Sequence, residues 1–225
     1  MAVERWGAVA RICYNGTVMN LPNRLTIARL VMALAFVGLM SFPSLSTYLI
    51  AYILFILAAI TDYYDGKIAR ERNLVTNFGK LLDPVADKVL IVGALIMLMQ
   101  VPGLRVPSWT VVTIIAREFL VTGARALAAS EGAVIPANIW GKTKAVIQMV
   151  YVFVFLALAI IGDLLDALSA FVDVGWWLSF LRFYHKIVAV ASFWAIIFVA
   201  LFTIYAGLQF MRINWSAMNL GNRDE

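Results

Sequence analysis

The stretch TDYYDGKIARERNLVTNFGKLLDPVADK, residues 61–88, holds two pairs of aspartates, Asp62/Asp65 and Asp83/Asp87. On a helix, spacings of three and four residues put both members of a pair on the same face. Two such helices facing each other bring four carboxylates together, an all-oxygen donor set for one or two hard divalent cations. Between the pairs lie Gly66, Ala69, Arg70 and Gly79: two bare backbone positions, a small side chain and an anion-binding guanidinium. Carboxylates, clearance and arginine together point to a phosphate substrate bridged by metal.

Phosphoryl transfer asks a protein for charge neutralisation and alignment rather than covalent help. Two metal ions about 3.5–4 Å apart can hold the attacking and leaving oxygens of an in-line displacement. Asp62, Asp65 and Asp83 supply most of the ligands in this reading. Asp87, one turn beyond Asp83, takes the proton of an incoming alcohol, a general-base contribution of about 10²–10⁴-fold. Gly66 lets a nucleotide approach the backbone, and Arg70 offers a fork of donors to a diphosphate. Gly79 is better suited to the turn into the next helix than to a ligand. Mg2+ and Mn2+ both suit such a donor set.

The pattern Asp-x-x-Asp-Gly-x-x-Ala-Arg, eight residues, Gly, three residues, Asp, three residues, Asp resembles the signature of the CDP-alcohol phosphatidyltransferase family. Asp62, Asp65, Gly66, Ala69, Arg70, Gly79, Asp83 and Asp87 fill all eight fixed positions. The resemblance implies that Asp62, Asp65, Asp83 and Asp87 hold metal, with Asp87 also the catalytic base. It implies further that Gly66, Ala69, Arg70 and, in the loop between the pairs, Thr76 meet CDP-diacylglycerol; a solvated threonine is the alternative for Thr76. The opening Met19-Asn-Leu-Pro-Asn-Arg-Leu-Thr-Ile-Ala-Arg29 is similar to members that use glycerol 3-phosphate. There Asn23 and Thr26 lie near the cytidine, unless they only cap the first membrane helix.

The acceptor must be read further on. Arg117 and Arg125 lie eight residues apart, on nearly the same helical face, and Trp140-Gly141-Lys142-Thr143-Lys144 opens the next apolar run. Arg117, Arg125 and Lys142 could converge on a second phosphate, that of glycerol 3-phosphate, whereas choline, ethanolamine or serine calls for no such cations. Lys144 reads equally as positive flank. The expected reaction moves the phosphatidyl group of CDP-diacylglycerol to glycerol 3-phosphate and releases CMP. Phosphatidylglycerol or inositol phosphate as acceptor is the alternative within the family, and a divalent-cation transporter is the alternative outside it. The resemblance runs from about Asn20 to Gln148; beyond it the match is in hydropathy alone.

The elements that position these residues are membrane helices. The chain is 63% hydrophobic and 14% charged, with a mean hydropathy of +0.89, outside the soluble range. Six apolar runs, at about 25–42, 46–63, 85–101, 108–128, 143–162 and 186–210, are expected to span the bilayer as an all-α integral membrane domain over residues 19–225. Residues 1–18 form an extension that reads as an interfacial amphipathic helix, or is left out if translation starts at Met19; it lacks the features of a secretory signal. Residues 163–185 are too interrupted for a seventh span and place Trp176, Trp177 and Tyr184 at the interface. Of 18 Lys and Arg, all but Arg105, Arg182 and Lys186 fall on one side if both termini are cytoplasmic. The aspartates then face the cytoplasm of, on this reading, a bacterial inner membrane, and the formal charge of +5 suits anionic lipid.

One histidine, His185, and one cysteine, Cys13, exclude a His-based zinc site, a Ser/His/Asp triad and an intramolecular disulfide. No patch of stacking aromatics accompanies the charges, so nucleic acid is not an expected partner. The family resemblance implies a homodimer, and no stripe of small residues argues for or against it.

Overall fold

The computed structural model describes residues 21–71, 77–130, 139–171 and 175–214, and within these the side chains of 21–23, 62–71 and 77–84 lie outside the description. The expected extension 1–18 and Thr76 also lie outside the described residues. Among the described residues there are six helices and no strand: α1 Leu21–Met40, α2 Leu45–Glu71, α3 Asn77–Leu98, α4 Ser108–Ser130, α5 Ile139–Leu168 and α6 Gly175–Ile213. Each has the roughly 17–25 residues needed to cross a hydrocarbon core. By composition as well as length, α5 and α6 qualify outright as candidate spans, while α2 has a shorter apolar part, Leu45–Thr61. The others carry charge within the helix, such as Arg24 and Arg29 in α1 and Arg117, Glu118 and Arg125 in α4, although each is apolar on average.

Large apolar side chains point outward along the helices: Val112, Phe119, Trp194, Phe198 and Leu201 are all exposed. A water-soluble protein rarely leaves so much apolar surface uncovered. With the composition, this marks the chain as a membrane protein.

The chain divides into two compact units, one ending at Ala94 within α3 and one running from Leu95. In the first, α1 packs on α2 through small residues and a pair of rings. Ala33, Ala51, Ala58, Ala86 and Ala94 are fully buried, and Phe36 meets Phe55 at 5.9 Å between centroids. In lipid, helix association comes from close packing rather than from escape from water, so small interface residues are expected. On α3, a Cβ built on Gly93 would lie 2.7 Å from Val37 Cγ2 of α1, so this position needs its bare backbone. α2 starts with a reciprocal cap, because the Thr47 amide donates to Ser44 Oγ at 3.3 Å and the Ser44 amide to Thr47 Oγ1 at 3.2 Å.

In the second unit, α6 packs against both α4 and α5. Its buried residues Val188, Ser192, Ile196, Val199 and Thr203 recur at helical period. Ser192 also ties in its neighbours, accepting from the Arg105 amide at 2.9 Å and, through its carbonyl, from Tyr151 Oη at 3.3 Å. Gly103 turns the chain with φ of 82°, a conformation that suits glycine. Residues 163–185, too interrupted for a seventh span, are divided between two helices. α5 runs on through Asp163 and Asp166 to Leu168, and α6 already starts at Gly175. The two aspartates are three residues apart and share a face, so they lower the average hydropathy without breaking the helix.

Candidate active site

The signature stretch occupies the end of α2 and the start of α3. Asp62, Asp65, Gly66, Ala69 and Arg70 lie on α2, and Gly79, Asp83 and Asp87 on α3, with helical backbone at every one. Each aspartate pair therefore shares a face of its own helix, as the spacing requires. Pro84 sits between the members of the second pair and cannot donate the usual bond to residue 80.

Asp87 is the signature carboxylate whose side chain is described. It is half exposed, and Arg29 Nη1 donates to its Oδ1 at 2.5 Å. Arg29 reaches it from α1, where its side chain is 1% exposed. The buried face of α1 runs Thr26, Arg29, Ala33, Phe36, Met40, polar over its first turns and apolar afterwards. Thr26 is thus buried on the same face as Arg29; Asn23 lies on α1 with its side chain outside the description. The sequence sets Arg29 at helical spacing after Asn23 and Thr26, but nothing in that spacing gave it a partner on another helix.

The second group of candidates lies on α4 and α5. Arg117 is buried at 8% exposure, and its Nη1 donates to Glu118 Oε1 at 3.3 Å. The same carboxylate oxygen accepts from Lys144 Nζ, also buried. Arg125 lies with Cζ 5.1 Å from the centre of the Phe210 ring, within reach of a cation–π attraction. The Nε atoms of Arg117 and Arg125 are buried and have no hydrogen-bond partner among the described residues. Lys142, grouped with the arginines by sequence, is exposed. It precedes Lys144 by two residues, about 200° around the helix. One turn on from Lys144, Gln148 is buried and its Nε2 donates to Thr203 Oγ1 on α6 at 3.2 Å. Sequence reasoning missed Glu118 and left Lys144 as flank. The spacing of Lys144, Gln148 and Tyr151, a single helical face, could have found that lysine.

The unpartnered Nε–H groups of Arg117 and Arg125 are donors of the kind that a phosphate oxygen accepts from. By residue type, the four signature aspartates of α2 and α3 are hard oxygen donors with no soft ligand among them.

Known proteins resemble the chain over most of its length. The family model described as CDP-alcohol phosphatidyltransferase matches residues 19–207. The chain is 36% identical over 217 residues to the CDP-diacylglycerol–glycerol-3-phosphate 3-phosphatidyltransferase of Bacillus subtilis (strain 168), covering 91% of this chain and 100% of that protein. Proteins of the same name from Rickettsia bellii (strain RML369-C) and Rickettsia typhi (strain ATCC VR-144 / Wilmington) are 43% identical over 130 residues and 36% identical over 164 residues. These alignments cover 58% and 69% of this chain, and 71% and 91% of the relatives. With the eight-position signature on two adjoining helices and the match spanning nearly all of the described fold, the chain belongs to the CDP-alcohol phosphatidyltransferase family.

Proposed function

We propose that the protein transfers the phosphatidyl group of CDP-diacylglycerol to glycerol 3-phosphate, forming phosphatidylglycerophosphate and CMP. The observation that carries the choice of acceptor is the pair of arginines on α4, Arg117 buried and Arg125 partly buried, whose Nε atoms lack hydrogen-bond partners among the described residues. A phosphate-bearing acceptor would engage both, and a neutral alcohol would not. The relatives named for the same transfer point the same way.

In this mechanism Asp62, Asp65, Asp83 and Asp87 would hold Mg2+ or Mn2+. When bound, the metal neutralises the diphosphate oxygens and the departing CMP. Gly66 and Ala69 leave room for the nucleotide, Arg70 binds its diphosphate, and Asn23, Thr26 and Thr76 contribute contacts on the cytidine side. Arg117 and Arg125 hold the phosphate of glycerol 3-phosphate, with Lys142 at the entrance. A hydroxyl of the acceptor attacks the lipid-bearing phosphorus and its proton passes to Asp87. The bond from phosphorus to the CMP oxygen breaks, and Arg29 keeps the Asp87 carboxylate in place throughout. All six helices cross the bilayer, with both termini and the aspartates on the cytoplasmic side of a bacterial inner membrane.

The deciding experiment is CMP release from CDP-diacylglycerol in detergent, with glycerol 3-phosphate, inositol phosphate or phosphatidylglycerol offered separately. We expect release that needs glycerol 3-phosphate and a divalent cation and falls about 10²–10⁴-fold in Asp87→Asn. Release with inositol phosphate alone would sink the acceptor assignment. No release with any alcohol would turn attention to the aspartates as an ion path.

A further inference from the structure

Thr203, Gly207 and Phe210 follow one another on α6 at spacings of four and three residues, which puts them on one face. All three are buried. That face meets the basic cluster at each position. Thr203 accepts from Gln148, and the Phe210 ring lies under Arg125. Between them, a Cβ built on Gly207 would lie 3.1 Å from both Cγ and Nε of Arg117. The bare backbone of α6 is therefore the wall along which the Arg117 stem runs.

We propose that this face of α6 positions the two arginines for the acceptor's phosphate. Gly207 sets the place of Arg117 by having no side chain, and Phe210 carries Arg125 on the face of its ring. The proposal rests on the acceptor reading above and extends it to a helix that holds none of the eight signature residues. A guanidinium gives a phosphate two parallel N–H bonds only in a narrow range of orientations. A methyl group on Gly207 would press on the middle of the Arg117 side chain, not on its flexible end. Arg117 has little room to yield, because it is buried and tied to Glu118. The buried Nε atoms of both arginines, without partners among the described residues, are the donors such an anion would use.

The test uses the full-length protein in detergent, measuring KM for glycerol 3-phosphate and for CDP-diacylglycerol separately. It also measures the thermal midpoint with and without inorganic phosphate. Gly207→Ala is expected to raise KM for glycerol 3-phosphate about threefold to tenfold while leaving that for CDP-diacylglycerol within about twofold. It should also shrink the rise in midpoint that phosphate produces. In an Arg117→Ala background, Gly207→Ala should add nothing to that KM, since the stem it crowds is gone. Phe210→Leu, which keeps apolar volume but loses the ring face, should raise the same KM about twofold to fivefold. An unchanged KM in both variants would overturn the proposal, as would a rise in both substrates' KM accompanied by a lower midpoint without ligand. If the wild type releases CMP only with another alcohol, the acceptor reading fails and the phosphate measurement alone decides. Equal phosphate effects in wild type and Gly207→Ala, including none in either, would then overturn the role of α6.

Discussion

A guanidinium that is 1% exposed must be held by what surrounds it, and Arg29 reaches a half-exposed carboxylate of the signature, Asp87. The geometry is asymmetric: the buried partner is fixed, and the carboxylate it holds lies half exposed. Arg29→Lys keeps the charge and loses the fork. We expect kcat to fall about tenfold, with KM for either substrate within about twofold, because Asp87 is then present but poorly aimed. An unchanged kcat would remove Arg29 from the active site. On the acceptor side, a hydrogen bond to a charged group is worth about 1.5–3 kcal/mol, so Arg117→Ala should raise KM for glycerol 3-phosphate about 10–150-fold. Lys142→Ala should change it less than about twofold, since an exposed lysine is already solvated. A larger effect from Lys142 than from Arg117 would reverse the assignment of the pocket.

The helices show which parts of this arrangement a linear reading could reach. The signature is local: eight positions on α2 and α3 whose spacing is the helical repeat itself, so the residues and their shared faces were legible before any coordinates. Lys144 and Gln148 were not, because a hydropathy window averages around the helix and reports α5 as apolar while one stripe of it is polar and buried. Gly207 was further out of reach. Its role depends on how α4 lies on α6, ninety residues apart in sequence, and no spacing rule carries that. The Glu118–Lys144 pair is the corresponding tie between α4 and α5. Glu118 also accepts from Arg117, so losing the carboxylate should cost more than losing the lysine. Glu118→Gln is expected to lower the thermal midpoint in detergent, at about 3 kcal/mol for stranded buried charge, and Lys144→Met by less. A larger loss from Lys144→Met than from Glu118→Gln would show that the carboxylate is not what holds the two cations.

For the molecule as a whole, the proposed six crossings have to be made by helices of unequal length. At about 1.5 Å per residue, α1 is about 30 Å long and α6 nearly 60 Å, so α6 must extend well past a hydrocarbon core of about 30 Å. Hydropathy alone therefore cannot fix the ends. Charge can, because basic residues are retained on the cytoplasmic side during insertion. If all six helices cross as proposed, Lys142 and Arg212 are expected on the cytoplasmic side, and Arg105 and Ser169 on the other. Cys13 is the one native thiol, so Cys13→Ser gives a background in which single cysteines report sidedness. A membrane-impermeant maleimide applied to intact spheroplasts should label Arg105→Cys and Ser169→Cys, and should reach Lys142→Cys and Arg212→Cys only after the membrane is opened. CDP-diacylglycerol keeps its acyl chains in the bilayer and presents its nucleotide at the surface, so the carboxylates must lie where cytidine nucleotides and glycerol 3-phosphate are supplied. Labelling of Lys142→Cys in intact cells would place that surface outside, where neither is made, and would count against the proposed reaction as well as the topology.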